Sequence, residues 1–232
     1  MIEEPPLLTI RKPTRRPSAA QIAAFQGVPT GFVADAMWGV GALSSDIQPA
    51  GGGRDFNCVA AGPALTADCR PGDILAVLAA LKFIQPGDIV VSAFAAFQGC
   101  AAAGDRVIGM MKNNGAAGFV TDGPIRDYAG VVEVGLPTWC TGLTPASPVS
   151  NGPGTVGEPV QIGGLEVESG DMIVGDRDGV VVVPFEKIDE VIDMLAHVRE
   201  LETALDADVA GGLKLPGAIE ELLESDQVKY ID

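Results

Sequence analysis

Two short segments carry the residue types best suited to chemistry. Gly104-Asp105 stands at the start of a helix-like segment, and Arg126 follows Asp105 by 21 residues, immediately before Asp127. An arginine fork can hold a carboxylate in two bonds, and aspartates supply the hard oxygen ligands that suit Mg²⁺. The free amides at a helix start also favour a bound carboxylate. This set of groups suits a small 2-oxo acid that chelates a divalent ion.

The elements around these residues predict that they meet. Ile89 to Ala93 reads as a buried strand, Phe94 to Gly104 as a small-residue loop, Asp105 to Asn114 as a helix and Gly118 to Thr121 as the next strand. Consecutive strands joined by a helix are normally parallel, so the helix start and the turn 122–127 should share the carboxyl edge of the sheet. The alternative is that Asp105 only caps its helix, while Arg126 and Asp127 form a surface ion pair.

Other catalytic systems have little support. The four cysteines show no CxxC spacing, which predicts small buried residues rather than zinc ligands or disulfides. The single histidine, His197, lies in an amphipathic helical pattern and is expected to be a helix position without a catalytic role. No Gly-rich nucleotide loop stands at a strand-to-helix turn. A metal site would therefore use oxygen ligands.

The rest of the chain predicts one α/β domain with two packed sheets flanked by helices, over residues 18–232. Residues 1–17, rich in proline and arginine, predict an irregular arm that is either loose or laid on a neighbouring subunit. Ser18 is expected to be the N-cap of a first helix, and short β runs continue to Val183. One long helix, from about Phe185 to Ala210, is expected to precede an acidic tail.

Three turns recur before apolar runs and are expected to launch extended or buried segments: Pro71-Gly72-Asp73, Pro86-Gly87-Asp88 and Ser169-Gly170-Asp171. Their aspartates are interpreted as turn residues rather than as ligands. The runs that follow begin at Ile74, Ile89 and Met172.

Composition limits the class of protein. The chain has 232 residues, 47% of them hydrophobic, and a formal net charge of −16. Such a negative field repels phosphate backbones and anionic lipid, so we expect neither a nucleic-acid nor a membrane partner. The first residues lack a signal-peptide pattern, which favours a cytoplasmic protein.

Three segments together resemble a known family: Gly104-Asp105, the stretch from Gly118 to Asp127, and the stretch from Gly175 to Pro184. The family is that of the metal-dependent 4-hydroxy-4-methyl-2-oxoglutarate/4-carboxy-4-hydroxy-2-oxoadipate aldolases, which share a fold with the regulator of ribonuclease E activity. The resemblance implies an αββα-type, swivelling β/β/α-like core. It also implies homotrimers or dimers of trimers with active sites between protomers.

The resemblance also implies roles for individual residues. Asp127 would bind Mg²⁺ or Mn²⁺, Asp105 would support a water on the metal, and Arg126 would bind the pyruvate part and its enolate. Backbone amides at the helix start, those of Asp105, Arg106 and Val107, would hold the carboxylate. The substrate-binding set is then Gly104, Asp105, Arg106, Val107 and Arg126. Glu202 of a neighbouring protomer is the positional match for a third metal-site carboxylate, with Glu200 as the alternative.

The reaction implied is retro-aldol cleavage of a 4-hydroxy-2-oxo (di)acid to pyruvate and a carbonyl product, with oxaloacetate decarboxylation as a side activity. Two alternatives stay open. One is a non-catalytic, protein-binding regulator of the ribonuclease E inhibitor type, and the other is a metal-dependent lyase or hydratase acting on another hydroxy acid. The aldolases usually place bulky aliphatic residues around Gly-Asp, whereas this chain has Arg106-Val107, so the substrate end of the pocket is expected to differ.

Overall fold

The structure, a computed structural model, describes residues 6–12 and 14–231. The strands are β1 Leu8–Ile10, β2 Gln48–Pro49, β3 Ala60–Asp68, β4 Ile89–Ala93, β5 Gly118–Thr121, β6 Thr138–Cys140, β7 Gly154–Val156, β8 Val160–Ile162, β9 Leu165–Val167, β10 Met172–Gly175 and β11 Val180–Val183. The helices are α1 Ala19–Phe25, α2 Thr30–Ala36, α3 Leu75–Ala80, α4 Asp105–Asn113, α5 Tyr128–Val134, α6 Ile188–Ala210 and α7 Gly217–Leu223, with 3-10 turns at Ala50–Gly53 and Phe185–Lys187.

Strand β3 pairs with two different sets of strands, one along each half of its length. Its second half, Ala64–Asp68, pairs in parallel with β4, which continues through β5 to β6 in parallel. Its first half, Ala60–Pro63, pairs antiparallel with β10, and β10 pairs antiparallel with β11. β8 and β9 form a separate antiparallel hairpin. The parallel strands and the β10–β11 pair therefore form two connected layers.

The side chains of each strand alternate between two cores. In β4, Val90 packs with the core under α3, α4 and α5, whereas Ile89 and Val91 pack in the core between the two sheet layers. In β11, Val182 faces the same inter-sheet core, while Val183 packs with α1, α2 and α6. This period of two gives a helix–sheet–sheet–helix stack. The predicted αββα core is confirmed.

Several elements agree with their predicted positions. Ser18 caps α1 in a capping box with Gln21, and α4 begins at Asp105 as predicted. The aspartates of the three recurring turns bind backbone amides rather than standing free. Asp73 accepts from the amides of Leu75, Asn151 and Gly152, Asp88 from Gln85, and Asp171 from Glu168 and Phe185. Their interpretation as turn residues is confirmed.

Some expectations were wrong. The N-terminal arm is not irregular throughout, because Leu8–Ile10 pairs with β7 of its own chain and Arg15 and Arg16 form ion pairs with carboxylates of the same chain. Its residues 1–5 and 13 lie outside the described residues. The run from Ile74 forms helix α3 rather than an extended segment. Leucine and alanine favour a helix there.

In the second half of the chain, the segment from Val156 to Ile162 is divided between β7 and β8. The acidic tail contains the short helix α7, Gly217–Leu223. No helix of residues 6–12 and 14–231 is long and apolar enough to cross a membrane.

Candidate active site

Loops after β4 and β5 position the predicted residues at one edge of the sheet. The amide of Arg126 donates to the carbonyl of Ala103 at 3.0 Å, and the amide of Ala102 donates to the carbonyl of Pro124 at 2.8 Å. These bonds join the segment before α4 to the turn before α5. The predicted meeting of the helix start with the Arg-Asp pair is confirmed.

A cleft of about 420 Å³ lies between these segments. All the within-chain residues expected from the sequence line it: Gly104, Asp105, Arg106, Val107, Arg126 and Asp127. Asp105 and Arg126 are half-buried, while Arg106 and Asp127 are exposed to solvent. The cleft is therefore lined by two arginines and two aspartates at an accessible surface.

Two glycines make room for the acids. A β-carbon on residue 104 would lie 2.8 Å from Asp127 Oδ2 and 3.0 Å from Arg126 Cγ. The backbone of Gly104 is extended, so space rather than an unusual φ requires glycine there. On α5, a β-carbon on Gly130 would lie 2.5 Å from Asp105 Oδ2. Both aspartates thus lie against backbone that carries no side chain.

Asp127 adopts a left-handed backbone conformation, with φ 58° and ψ 45°, at the N-cap of α5. This conformation is uncommon for a residue other than glycine, although aspartate tolerates it better than most. Its side chain makes no capping hydrogen bond to the helix. The carboxylate is therefore directed away from the helix amides and contributes to the cleft.

Arg126 is held from two sides. Its Nη1 donates to Ser147 Oγ at 2.6 Å, and its Nε lies 3.3 Å from Asp127 Oδ2. The arginine side chain keeps 36% of its exposure and the aspartate 51%. Because guanidinium has five N–H groups, those of Nη2 and the second of Nη1 are left to bind a ligand. Arg126 and Asp127 thus form a half-exposed ion pair, and the remaining N–H groups of Arg126 can bind an anion.

The helix start offers two amides rather than the three expected. The amide of Arg106 donates to Asp105 Oδ1 at 2.7 Å, so it is already used. Within the described residues, the amides of Asp105 and Val107 make no hydrogen bond. These two groups lie at the positive end of a nine-residue helix, where an anion is favoured.

Glu202 and Glu200 do not reach the cleft of their own chain. Both lie on α6, where Glu202 is half-buried and Glu200 exposed, and neither lines the cleft. In the described part of the chain, no three His, Cys, Asp or Glu side chains are grouped so as to hold a metal. The two cleft aspartates are therefore the acids that one chain supplies.

Sequence reasoning missed the residues that support the site. Ser147 lies 21 residues beyond Arg126 in an irregular loop, and nothing in the local pattern assigns it to Arg126. Tyr128 donates from its hydroxyl to Asp55 Oδ2 at 2.7 Å. Burial, followed by the Asp55 carboxylate, raises the pKa of Tyr128 to about 12. This contact connects α5 to the segment that follows Gly51–Gly53. The two residues are 73 positions apart in the sequence, so local patterns do not predict it.

A second, larger cavity of about 530 Å³ lies at the same edge of the sheet. Its lining includes Asp46 and Asp122 but no cationic side chain. Asp122 accepts hydrogen bonds from the amides of Phe94 and Ala96, and its burial raises the pKa of the carboxyl group. The Asp122 carboxylate stabilises the loop after β4. Because the larger cavity is lined by acidic residues and no cation, an anionic substrate fits the Arg126 cleft better than this cavity.

The cysteines and the histidine are consistent with their expected roles. All four thiols are free and buried, and burial raises the pKa of Cys69 and of Cys140 to about 11. Thiols with such pKa values are poor nucleophiles at neutral pH. His197 lies on α6 and is exposed.

Comparison with known proteins identifies the family. The family model "RraA-like: Aldolase/RraA" matches residues 30–182. The chain belongs to this RraA-like family. It is 40% identical over 163 residues to a protein of Halalkalibacterium halodurans named "Putative 4-hydroxy-4-methyl-2-oxoglutarate aldolase", a match that covers 70% of this chain and 76% of that protein.

Two solved structures share the fold of this RraA-like chain. RraAS2 of Streptomyces coelicolor, described as an unusual member of the RNase ES inhibitor RraA protein family, is 31% identical with a TM-score of 0.71, covering 83% of this chain and 100% of that one. An uncharacterised protein of Pseudomonas syringae pv. tomato is 23% identical with a TM-score of 0.75, covering 86% and 92%. The family therefore includes names of two kinds, an aldolase and an RNase inhibitor.

Proposed function

We propose that the Arg126 cleft is the active site of a divalent-metal-dependent carbon–carbon lyase, which cleaves a 4-hydroxy-2-oxo acid to pyruvate and a carbonyl product. The observation that carries this proposal is the meeting of one guanidinium, two carboxylates and two free helix amides in one cleft. The name of the 40% identical relative supports aldolase chemistry.

The residues present fit a divalent ion. Mg²⁺ keeps several waters and takes only one or two carboxylates from a protein, so Asp127 would bind the ion and Asp105 would hold one of its waters. Asp105 Oδ1 is engaged by an amide and Asp127 Oδ2 lies beside Arg126, which leaves one oxygen of each carboxylate for other partners. Mg²⁺ or Mn²⁺, when bound, would supply Lewis-acid polarisation of the 2-oxo acid oxygens.

Arg126 and the helix amides would bind the 2-oxo acid end of the substrate. The amides of Asp105 and Val107 face the carboxylate, while the free N–H groups of Arg126 face the oxo oxygen. Negative charge grows on that oxygen as the enolate forms. Arg126 therefore interacts more strongly with the transition state than with the substrate, which is the condition for catalysis.

Asp105 Oδ2 would hold a water through which the proton of the 4-hydroxyl group passes to the carboxylate. As that proton leaves, a carbonyl forms at C4, the C3–C4 bond breaks, and its electron pair enters the pyruvate enolate. Return of the same proton to C3 gives pyruvate and completes the balance. Oxaloacetate loses CO₂ through the same enolate, so its decarboxylation is expected as a side activity.

The active site is proposed to be shared between protomers of a homo-oligomer, a trimer or a dimer of trimers. One chain supplies two acids at the cleft, and α6 carries apolar residues, Leu201, Leu205 and Val209, that are exposed. Glu202 lies on the same part of this helix, with Glu200 as the alternative. Docking of α6 on a second copy would cover the apolar residues and bring a carboxylate to the cleft.

The test is pyruvate release from 4-hydroxy-2-oxo diacids and from oxaloacetate, with Mg²⁺ or with excess chelator. Asp127→Asn should abolish metal-dependent release, while Glu166→Gln, a matched change of an exposed carboxylate on β9, should not. Circular dichroism should show both variants folded. Full activity in chelator, or wild-type activity of Asp127→Asn, would refute the assignment of the metal.

The second candidate is a protein-binding regulator, and the 31% identity to RraAS2 favours it. It predicts no turnover of any 2-oxo acid and a change in partner affinity when Arg126 is replaced. A lyase or hydratase acting on another hydroxy acid is separated by its products, because hydration or dehydration releases no pyruvate.

A further inference from the structure

Ser147 is a neutral neighbour of Arg126 that the proposed reaction does not use. Its Oγ accepts a hydrogen bond from Arg126 Nη1 at 2.6 Å, yet the serine does not line the cleft. Any effect of this hydroxyl on a ligand in the cleft therefore passes through the arginine.

Backbone bonds on both sides hold the segment that carries Ser147. The amide of Thr144 donates to the carbonyl of Ile125 at 2.9 Å, and the amide of Val149 donates to the carbonyl of Gly72 at 2.9 Å. These bonds attach the segment between β6 and β7 to the turn before α5 and to the turn before α3. Ser147 lies between the two attachment points, so the protein fixes its position independently of the arginine.

Arg126 and Asp127 are within reach of each other but do not form their strongest contact. Nε lies 3.3 Å from Oδ2, and in the described part of the chain the hydrogen bond of the Arg126 side chain goes to Ser147 and not to Asp127. A guanidinium that faces a carboxylate squarely donates two parallel hydrogen bonds, which would engage both Oδ1 and Oδ2. Both side chains are half-exposed, so the guanidinium has solvent-filled space in which to rotate.

The hydrogen bond to Ser147 opposes that rotation. A guanidinium is planar and rigid, so a bond at Nη1 also fixes the direction of its other N–H groups. With Nη1 on Ser147, Arg126 meets Asp127 at Oδ2 alone, and Oδ1 stays available to another partner. Without the hydroxyl, the arginine would be free to turn to the carboxylate beside it.

We infer that Ser147 is a positioning residue that holds the Arg126 guanidinium away from the Asp127 carboxylate and thereby keeps this carboxylate able to bind a divalent cation. The inference rests on the proposed function, because it takes Asp127 as the metal ligand. It explains how two adjacent residues of opposite charge keep separate tasks, the arginine toward the substrate anion and the aspartate toward the ion.

The experiment measures the Kd of Mn²⁺ by calorimetry on the full chain without substrate, so the result does not depend on activity. The variants are Ser147→Ala, which removes the hydroxyl, Ser147→Thr, which keeps it, and Ser150→Ala. Ser150 is an exposed serine of the same segment that does not line the cleft, and it is the matched control.

Ser147→Ala should raise the Kd of Mn²⁺ about tenfold, the factor expected for the loss of one hydrogen bond to a charged group. Ser147→Thr and Ser150→Ala should both stay within about twofold of wild type. Circular dichroism should show all three variants folded, since both serines are exposed.

A double variant separates a role through Arg126 from a general effect on the loop. In Arg126→Gln no guanidinium can close onto Asp127, so adding Ser147→Ala should change the Kd by less than about twofold. A tenfold loss that persists in the Arg126→Gln background would overturn the inference, because the serine would then act without the arginine.

Asp127→Asn shows which of the two proposals has failed. Only the Mn²⁺ binding that this variant removes is compared, because a chain with a net charge of −16 also binds cations weakly at its surface. If Asp127→Asn loses the site while Ser147→Ala binds Mn²⁺ within about twofold of wild type, the inference is refuted and the proposed metal site stands. If Asp127→Asn binds Mn²⁺ as tightly as wild type, Asp127 is not the ligand and both proposals are refuted.

Discussion

Gly130→Ala should damage the site without damaging the fold. Gly130 lies inside α5, and an alanine β-carbon there would be 2.5 Å from Asp105 Oδ2, 2.7 Å from Asp105 Cβ and 3.0 Å from Asp105 Cγ. Ordinary contacts require about 3.5 Å, so the Asp105 side chain must move by about 1 Å. Rotating the aspartate relieves the contacts with Oδ2 and Cγ, whereas the contact with Cβ requires α4 and α5 to separate slightly.

The expected effects on stability and activity differ. Glycine inside a helix costs about 0.5–1 kcal/mol relative to alanine, and this gain offsets part of the cost of moving Asp105. Because overpacking costs roughly 1–3 kcal/mol, we expect the free energy of unfolding to fall by about 1–2 kcal/mol, which leaves the protein folded. A catalytic group misplaced by about 1 Å can lower the rate about 100-fold, and we expect a loss of that order in kcat/KM.

Gly109→Ala is the matched control. Gly109 lies inside α4, and a β-carbon there would meet Val134 Cγ2 at 3.6 Å, an ordinary contact. Pyruvate release and thermal unfolding are measured for both variants. If Gly130→Ala retains kcat/KM within about twofold of Gly109→Ala, then Asp105 is not positioned by Gly130 or takes no part in the reaction.

Three further predictions concern the enolate, the assembly and the Tyr128 phenol. Arg126→Lys should lower kcat/KM by a factor equivalent to about 2–4 kcal/mol of transition-state stabilisation, with a substantial part of the loss in kcat. If steady-state kinetics show that only KM rises, Arg126 binds the substrate but does not stabilise the enolate. Light scattering should show an oligomer, and a fully active monomer would refute a shared site. Mixing inactive Asp127→Asn with inactive Glu202→Gln should restore some activity, because some sites in mixed oligomers combine an intact Asp127 with an intact Glu202. In a Tyr230→Phe variant, whose only phenol is Tyr128, absorbance should show no tyrosinate below about pH 11, because burial and the Asp55 carboxylate raise the pKa of Tyr128 to about 12. Stability contributed by the protonated phenol is then present below about pH 10 and lost as the pH rises towards about 12.

The chemistry-bearing part of the fold could be predicted because it is local. The strand, loop, helix and strand from Ile89 to Thr121 follow one another without interruption. Because the two strands are parallel, the start of the helix and the turn after the second strand lie at the same edge of the sheet. Asp105 and Asp127 were thereby placed at one sheet edge from sequence order alone. The carboxyl edge of parallel strands is determined by direction rather than by side-chain detail.

The rest depended on contacts between distant segments. β1 forms because Leu8–Ile10 pairs with β7, which lies about 145 residues later, and neither strand has a strong pattern of its own. Ser147 reaches Arg126 through a loop with no regular structure. In both cases tertiary contacts decide what local preference leaves open. The run after Ile74 is different, because its leucines and alanines already favour the helix α3, whose apolar face packs on β3 and β7.

The alanine-rich loop before α4 explains how such an exposed site is kept in order. Ala101, Ala102 and Ala103 are all buried, and the last two bond to the turn that carries Arg126. The turn lies so close to this loop that a β-carbon on Gly123 would be 3.0 Å from Ala102 Cβ and 2.6 Å from Phe94 Cδ1. Small residues let two loops lie side by side and pair like strands. The segment with the least chemistry in its side chains therefore fixes the distance between Arg126 and the helix amides.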